Sequence, residues 1–151
     1  MFEEGLVLAR RTGDRTAAYI ALYNLAQVSL ARGDYDGAAA IFEEGISLSE
    51  QMRDQANLAY FLEGLAVVAG KREQAERSAR LSGAAEGQLE AVGAAVYNYY
   101  QPDRSLYERI VSATRSQLGG AAFEEARAEG RAMTFEQAVA YSLEDHDAPP
   151  N

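Results

Sequence analysis

A repeat of 40 residues constrains the fold of this chain more than any other feature of its sequence. Shifting the chain by 40 positions places Phe2-Glu3-Glu4-Gly5 on the identical segment Phe42-Glu43-Glu44-Gly45. The shifted copies share about ten identities in about 29 positions, where composition alone gives on the order of two. A period of this length indicates a stack of small structural units, each buried only against its neighbours.

Each copy of the repeat predicts two helices. Residues 14–32 open on an aspartate that can cap a helix and are apolar nearly all round, as expected of a helix packed between neighbours. Gly33 ends this helix. Asp34 then caps a second helix, whose apolar residues follow the i, i+3, i+4 spacing of a single buried face. The pair recurs at residues 54–70 and about 73–92.

The turn and second helix of this unit, residues 33–45, resemble a tetratricopeptide repeat (TPR). Ala38, Phe42 and Gly45 stand at the small, aromatic and small positions of its signature, and residues 22–26 match its first helix. Small residues there let two helix backbones approach, and the aromatic ring fills the gap between repeats. The chain departs from the family in its period, 40 rather than 34 residues, and in its second copy, where serines replace the small and aromatic residues.

The resemblance implies an all-α fold, a TPR-like right-handed α-solenoid of antiparallel helix pairs with a C-terminal helical cap. The boundaries are a repeat region at 1–92 (half repeat 1–13, full repeats 14–53 and 54–92), a connector at 93–101, capping helices at 102–145 and a disordered tail at 146–151. Because the half repeat matches only a second helix, we expect the natural polypeptide to extend further toward its N-terminus. A repeat without its neighbour leaves an apolar end face exposed, and this face would favour a homodimer through the N-terminal helix.

Three short helices are predicted after Gly93, where the period is lost. Pro102 begins the first, which runs as far as Gly119-Gly120. The second covers about residues 121–129 and ends at Gly130. The segment Thr134-Phe135-Glu136-Gln137 is a capping box that begins the third. We expect these helices to cover the end of the array.

Four segments carry a second resemblance: residues 77–86, 107–109, 118–123 and 129–141. They are similar to the C-terminal repeat region of LuxR-type (MalT-like) bacterial transcriptional regulators and of related predicted ATPases. A nucleotide-binding switch module precedes the helical repeats in those proteins. The resemblance implies that this chain is the sensory or regulatory region of a larger bacterial regulator, with other domains of the same polypeptide among its partners.

Composition and charge exclude several classes of partner. The chain has 14 basic and 23 acidic residues and a net charge of −9. Such a surface repels phosphate backbones, so we expect no direct nucleic-acid binding by this segment. The absence of cysteine is compatible with a reducing cytosol. No apolar stretch is long enough to span a membrane. We expect a cytoplasmic protein without membrane contact.

The sequence offers little catalytic chemistry. The single histidine, His146, lies in the proline-flanked tail and cannot form a Ser-His-Asp relay or a multi-histidine metal site in this chain. Gly119-Gly120 lacks the Lys-Ser/Thr of a phosphate loop. The acid pairs Glu3-Glu4, Glu43-Glu44 and Glu124-Glu125 stand at helical positions where solvated side chains are expected. We therefore expect no enzyme, no metal and no cofactor.

Candidate binding residues come from the resemblance to tetratricopeptide repeats, which places certain first-helix positions on a concave groove. These positions hold Ile20, Tyr23, Asn24, Gln27, Tyr60, Glu63 and Val67. Polar and aromatic groups there can anchor a protein, a peptide or a small-molecule inducer. The alternative is that the two tyrosines merely pack between helices. Tyr97, Tyr99 and Tyr100 form a second candidate surface, or else a packed connector.

Three functions remain open from the sequence. The leading one is a non-catalytic binding scaffold that passes a signal to other modules because binding biases a conformational equilibrium. The second is a structural module for self-association without a ligand. The third is a helical enzyme with a pocket at the junction of repeats and cap, which needs convergent titratable groups in one cavity; the sequence indicates none.

Overall fold

The computed structural model describes residues 15–93 and 105–144, and all regular secondary structure in these two ranges is α-helical. The helices are α1 (Arg15–Ala31), α2 (Tyr35–Met52), α3 (Gln55–Lys71), α4 (Ala75–Val92), α5 (Ser105–Leu118), α6 (Gly120–Arg131) and α7 (Phe135–Leu143). The all-α prediction is confirmed. The predicted half repeat, most of the connector and the tail lie outside the described residues.

Aspartate caps place the helix starts in both copies of the repeat. The Asp34 carboxylate accepts a hydrogen bond from the Gly37 amide at 2.9 Å, and the Asp54 carboxylate accepts one from the Asn57 amide at 3.1 Å. Each satisfies an amide that a helix N-terminus leaves unpaired. The predicted capping box at the start of α7 is also present, with reciprocal bonds between Thr134 and Gln137 of 2.9 and 3.1 Å.

Helices α2 and α3 pack through two phenylalanine–glycine contacts, in which each helix contributes one ring and one glycine. The Phe42 ring of α2 lies over Gly64 of α3, where an added Cβ would come within 2.3 Å of a ring carbon. The Phe61 ring of α3 lies over Gly45 of α2, where an added Cβ would come within 2.5 Å of that ring. Both rings are fully buried. The ring of Tyr23, on α1, completes the cluster at 6.1 and 6.2 Å from them.

Consecutive helices pack against each other from α1 to α4. The connections at 32–34, 53–54 and 72–74 have the length that joins antiparallel helices in αα-hairpins. Helix α3 is the central element, and every residue from Ala56 to Ala69 is buried except the half-buried Tyr60. This burial matches the prediction of a first helix that is apolar nearly all round.

Helices α5 and α6 pack beside the second repeat. Helix α5 contacts both α3 and α4, and the Ile110 side chain lies on Gly70. Helix α6 approaches α4 so closely that an added Cβ on Gly130 would lie 1.9 Å from the Arg80 carbonyl oxygen. The prediction that Gly130 ends this helix is wrong. The helix continues to Arg131, and the glycine is the point of closest approach between two backbones.

Helix α7 returns to the first repeat and lies between α2 and α4, over α3. Its first turn is next to the C-terminal end of α2, where Arg53 and Glu136 form an ion pair at 2.9 Å. Its last turn is next to the N-terminal end of α4, where the Arg77 guanidinium donates to the Ser142 carbonyl at 3.3 Å. Helix α7 is therefore antiparallel to both helices that flank it.

Ion pairs add to the close backbone packing of α6 on α4, where the apolar cluster has Ala79, Phe123 and Ala126 as its buried residues. The pairs that join α6 to α4 and α5 include Glu86–Arg127, Glu90–Arg131, Glu129–Arg80 and Glu124–Arg115, and Glu124 also pairs with Arg127 within α6. Partly exposed ion pairs are screened by salt. The attachment of α6 is therefore predicted to depend on ionic strength.

Replacing Arg127 by glutamine should lower the free energy of unfolding by about 1 kcal/mol at low salt, because it removes the partner of two carboxylates. The loss should shrink as NaCl rises from ~0.05 to ~1 M, since the Debye length falls to about 3 Å. Urea unfolding followed by circular dichroism measures both values. Arg109→Gln, at an exposed position of α5, is the matched control. A loss that is the same at both salt concentrations would contradict an electrostatic origin.

Candidate functional site

The most promising site is a cleft of about 350 Å³ between α3, α4 and α5. The described residues that line it are Glu63 from α3, Glu86, Leu89 and Glu90 from α4, and Tyr107, Glu108 and Val111 from α5. It combines four carboxylates with a tyrosine and two aliphatic side chains. Small-molecule sites have this general composition, an apolar wall with a few convergent polar groups.

Helix geometry explains why these side chains converge. Glu86 and Glu90 are four residues apart on α4, so they lie on one face of that helix. Tyr107 and Val111 are related in the same way on α5, which packs along α3 and α4. The side chain of Glu63 reaches the cleft from the buried helix α3, and this residue is only 2% exposed. One acidic side chain is thus enclosed, whereas Glu90 and Glu108 are exposed.

Arginines of α6 balance part of the negative charge. Arg127 donates from its Nε to the Glu86 carboxylate at 2.9 Å, and Arg131 donates to the Glu90 carboxylate at 2.6 and 2.7 Å. Hydrogen bonding to Glu90 raises the pKa of Arg131 above its ordinary value. Glu86 and Glu90 are therefore held in place by α6, whereas Glu108 is exposed at the opening of the cleft.

The predicted groove residues separate into two groups. Tyr23, Glu63 and Val67 are buried, whereas Ile20, Asn24, Gln27 and Tyr60 are half-buried. The three half-buried residues of α1 are spaced four and three apart and share one face of that helix. The Tyr23 ring packs against Phe42 and Phe61, and Tyr60 packs against the same main core. Only Glu63 of the seven lines the cleft.

Other candidates from the sequence have different positions. Tyr97, Tyr99, Tyr100, His146 and the pair Glu3-Glu4 lie outside the described residues. Glu44, Glu124 and Glu125 are exposed, whereas Glu43 is half-buried. Within residues 15–93 and 105–144, no three histidine or acidic side chains are grouped so that they could hold a metal ion. Nor is any helix in these ranges both long and apolar enough to cross a membrane.

Sequence reasoning missed Glu86, Glu90, Tyr107 and Glu108. The signal for the first two was present as an i, i+4 pair on a helix whose opposite face was predicted to be buried. Their convergence with Tyr107 depends on how α5 packs, and no repeat position specifies that packing. The cleft lies at the junction of repeats and cap, where the sequence indicated no cluster of titratable groups.

Comparison with known proteins gives no match: no protein family fits the chain, and neither a curated protein nor a solved structure is significantly similar to it.

Proposed function

We propose that this chain is a non-catalytic binding scaffold whose ligand enters the cleft between α3, α4 and α5. The observation that carries this proposal is the cleft itself, because it joins an aromatic ring, aliphatic side chains and carboxylates around one volume of about 350 Å³. A ligand that suits this lining has a positively charged group on an apolar body, such as an arginine or lysine side chain of a peptide or a small organic cation.

The same proposal includes a TPR-like stacking of the helix pairs. Three features support it: the antiparallel pairs α1–α2 and α3–α4, the crosswise packing of Phe42 and Phe61 on glycines, and the contacts of α5 with α3 and α4. In such a stack, α5 and α6 stand in the place of a third pair. The cleft then lies where the first helix of that pair meets the repeat before it.

A regulatory role in a larger bacterial protein is the wider context that we propose, on the strength of the resemblance to LuxR-type regulators. A ligand in the cleft touches α5 as well as α3 and α4. Its binding energy would therefore favour one relative position of these helices over others, and so transmit a signal to modules elsewhere in the polypeptide. A cytoplasmic location fits this role.

An enzyme in the same cleft would use its carboxylates as acid and base. Glu86 and Glu90 are engaged by Arg127 and Arg131 in ion pairs, so these side chains already have partners within the protein. This arrangement supports binding as the function.

A thermal-shift screen tests the proposal directly. Arginine- and lysine-containing dipeptides, polyamines and their neutral analogues are added to the full chain. Cationic compounds should raise the unfolding temperature, because a ligand at 100 times its Kd stabilises the folded state by about 2.7 kcal/mol. The neutral analogues should have little effect.

Glu108→Gln removes one charge at the opening of the cleft, where the exposed side chain has no packing role, and should weaken binding of the cations by about threefold to tenfold. Glu125→Gln, an exposed position of α6 away from the cleft, makes the same charge change and should leave binding intact. Equal loss in both variants, or no shift with any compound, would count against the site. A concentration-dependent dimer with no ligand response would favour the self-association module.

A further inference from the structure

The groove between α2 and α4 is a second surface, on a different part of the molecule from the cleft. Helix α7 occupies it and contacts α2, α3 and α4. The two flanking helices have 18 residues each, whereas α7 has nine. At 1.5 Å per residue, the walls are about 27 Å long and their occupant about 13 Å. The groove is thus a long surface covered by a short helix.

The groove continues past the end of α7. A cavity of about 210 Å³ remains there, with Val68 and Ala69 of α3 among its lining and Gln74 and Arg77 at the α4 side. Leu143, the last residue of α7, is 37% exposed at the edge of this cavity. Within residues 15–93 and 105–144, helix α7 therefore leaves part of the groove uncovered, and an occupant need not end where α7 ends.

Helix α7 is held through both its side chains and backbone carbonyls. Its buried side chains are small or medium-sized, Ala138, Val139 and Ser142, and the partly buried Phe135 and Tyr141 pack against the main core. Two of its polar contacts go to backbone carbonyls, from Arg77 to Ser142 and from Gln88 to Met133, both at 3.3 Å. Any helix in the same position presents a free carbonyl at its C-terminal end, as Ser142 does, whereas the Met133 carbonyl belongs to the connection before α7.

Two arginines of the groove add a modest preference for sequence. Arg53 pairs with Glu136 in the first turn of α7 and lies 5.7 Å from the Phe135 ring centre. Arg77 lies 5.4 Å from the ring centre of Tyr141 in the last turn. A matching helix therefore has an acid and an aromatic ring at its start, small residues in the middle and a second aromatic near its end.

We propose that the α2–α4 groove is a binding site for an amphipathic helix with this pattern, and that α7 is its intramolecular occupant, displaced when a partner helix binds. Such helix-in-groove binding needs an apolar stripe on the ligand and a preformed groove. The connection at 132–134 keeps α7 at a high effective concentration. A free helix therefore binds the native chain weakly and binds a chain with weakened α7 packing more tightly.

The probe is a fluorescein-labelled synthetic peptide with the sequence of residues 132–144, measured by anisotropy against the full chain. Val139→Asp places a charge on a side chain of α7 that is 3% exposed, and should release α7 from the groove. Ala140→Asp makes a similar change on the exposed face and is the control. We expect the Val139→Asp chain to bind the peptide at least tenfold more tightly than the native and Ala140→Asp chains do. A peptide that carries Val139→Asp should not bind.

Glu136→Arg provides a second route that leaves the core untouched, since the Glu136 side chain is 69% exposed. It brings two like charges together at Arg53 and should increase affinity for the native peptide by about threefold. Equal affinities in all four chains would overturn the proposal, as would the absence of binding to both weakened chains while their helical circular dichroism is retained. A dimer of the native chain that excess peptide dissociates would support it and identify a second copy as the partner.

Discussion

Replacing Gly130 by alanine should lower the free energy of unfolding by about 3 kcal/mol or more, because among the described glycines an added Cβ would make its closest contact here. The new Cβ would lie 1.9 Å from the Arg80 carbonyl oxygen and 2.8 Å from the Ala84 amide nitrogen. Both are backbone atoms of a helix, so no side-chain rotation relieves the overlap. Helices α4 and α6 must separate, which also lengthens the ion pairs between them.

Thermal and urea unfolding followed by far-ultraviolet circular dichroism measure this loss. Gly120→Ala is the matched control, because it adds the same methyl group to the same helix at a point with no heavy atom within 4 Å. That variant should be neutral or more stable by about 0.5–1 kcal/mol, as expected when alanine replaces glycine in a helix. Equal stability of the two variants would show that the close approach of α4 and α6 is not required.

Phe42→Ala should lower the free energy of unfolding by about 3–5 kcal/mol, because it leaves a cavity in a cluster of aromatic rings. Phe42 is fully buried and lies 6.1 Å from Tyr23 and 6.5 Å from Phe61, measured between ring centres. Equilibrium urea unfolding gives this value directly. No surface substitution considered above is expected to approach it.

Combining Phe42→Ala with Gly64→Ala tests the packing more sharply. Gly64→Ala alone should destabilise by about 1–3 kcal/mol, since its Cβ would meet the Phe42 ring at 2.3 Å. In the Phe42→Ala background the same methyl group enters the space that the ring has left. The double variant should therefore be more stable than the sum of the two losses predicts, by about 1 kcal/mol or more. Strict additivity would contradict the contact.

The helices of the two repeats were predictable because their signals are local. Asp34 and Asp54 form the expected caps, and Ala38, Phe42 and Ile46 form the expected buried stripe of α2. These features depend on spacing along one helix, which the sequence displays directly. The bounds of α1 to α4 differ from the prediction by only one or two residues at most ends, where helix starts and stops are least sharply encoded.

Contacts between helices were harder to predict. The sequence suggested that Gly130 ends a helix, but in the structure it is the point at which two helices approach closely. Only the position of Arg80 on the other helix distinguishes these two roles. The same limit applies to the site. Glu63 was placed on an inner surface and lines the cleft, but its neighbours Glu86 and Tyr107 come from helices whose relative position no repeat signature specifies.

The return of α7 to α2 also determines the order in which the molecule can form. The ion pair between Arg53 and Glu136 spans 83 residues, whereas α1 to α4 contact their immediate neighbours in the chain. Local contacts form quickly, and closing a long loop costs conformational entropy before any contact compensates for it. On the ribosome, which adds about 5–20 residues per second, α7 also emerges after the six other described helices. The groove between α2 and α4 is therefore complete and open before its own helix is available to cover it.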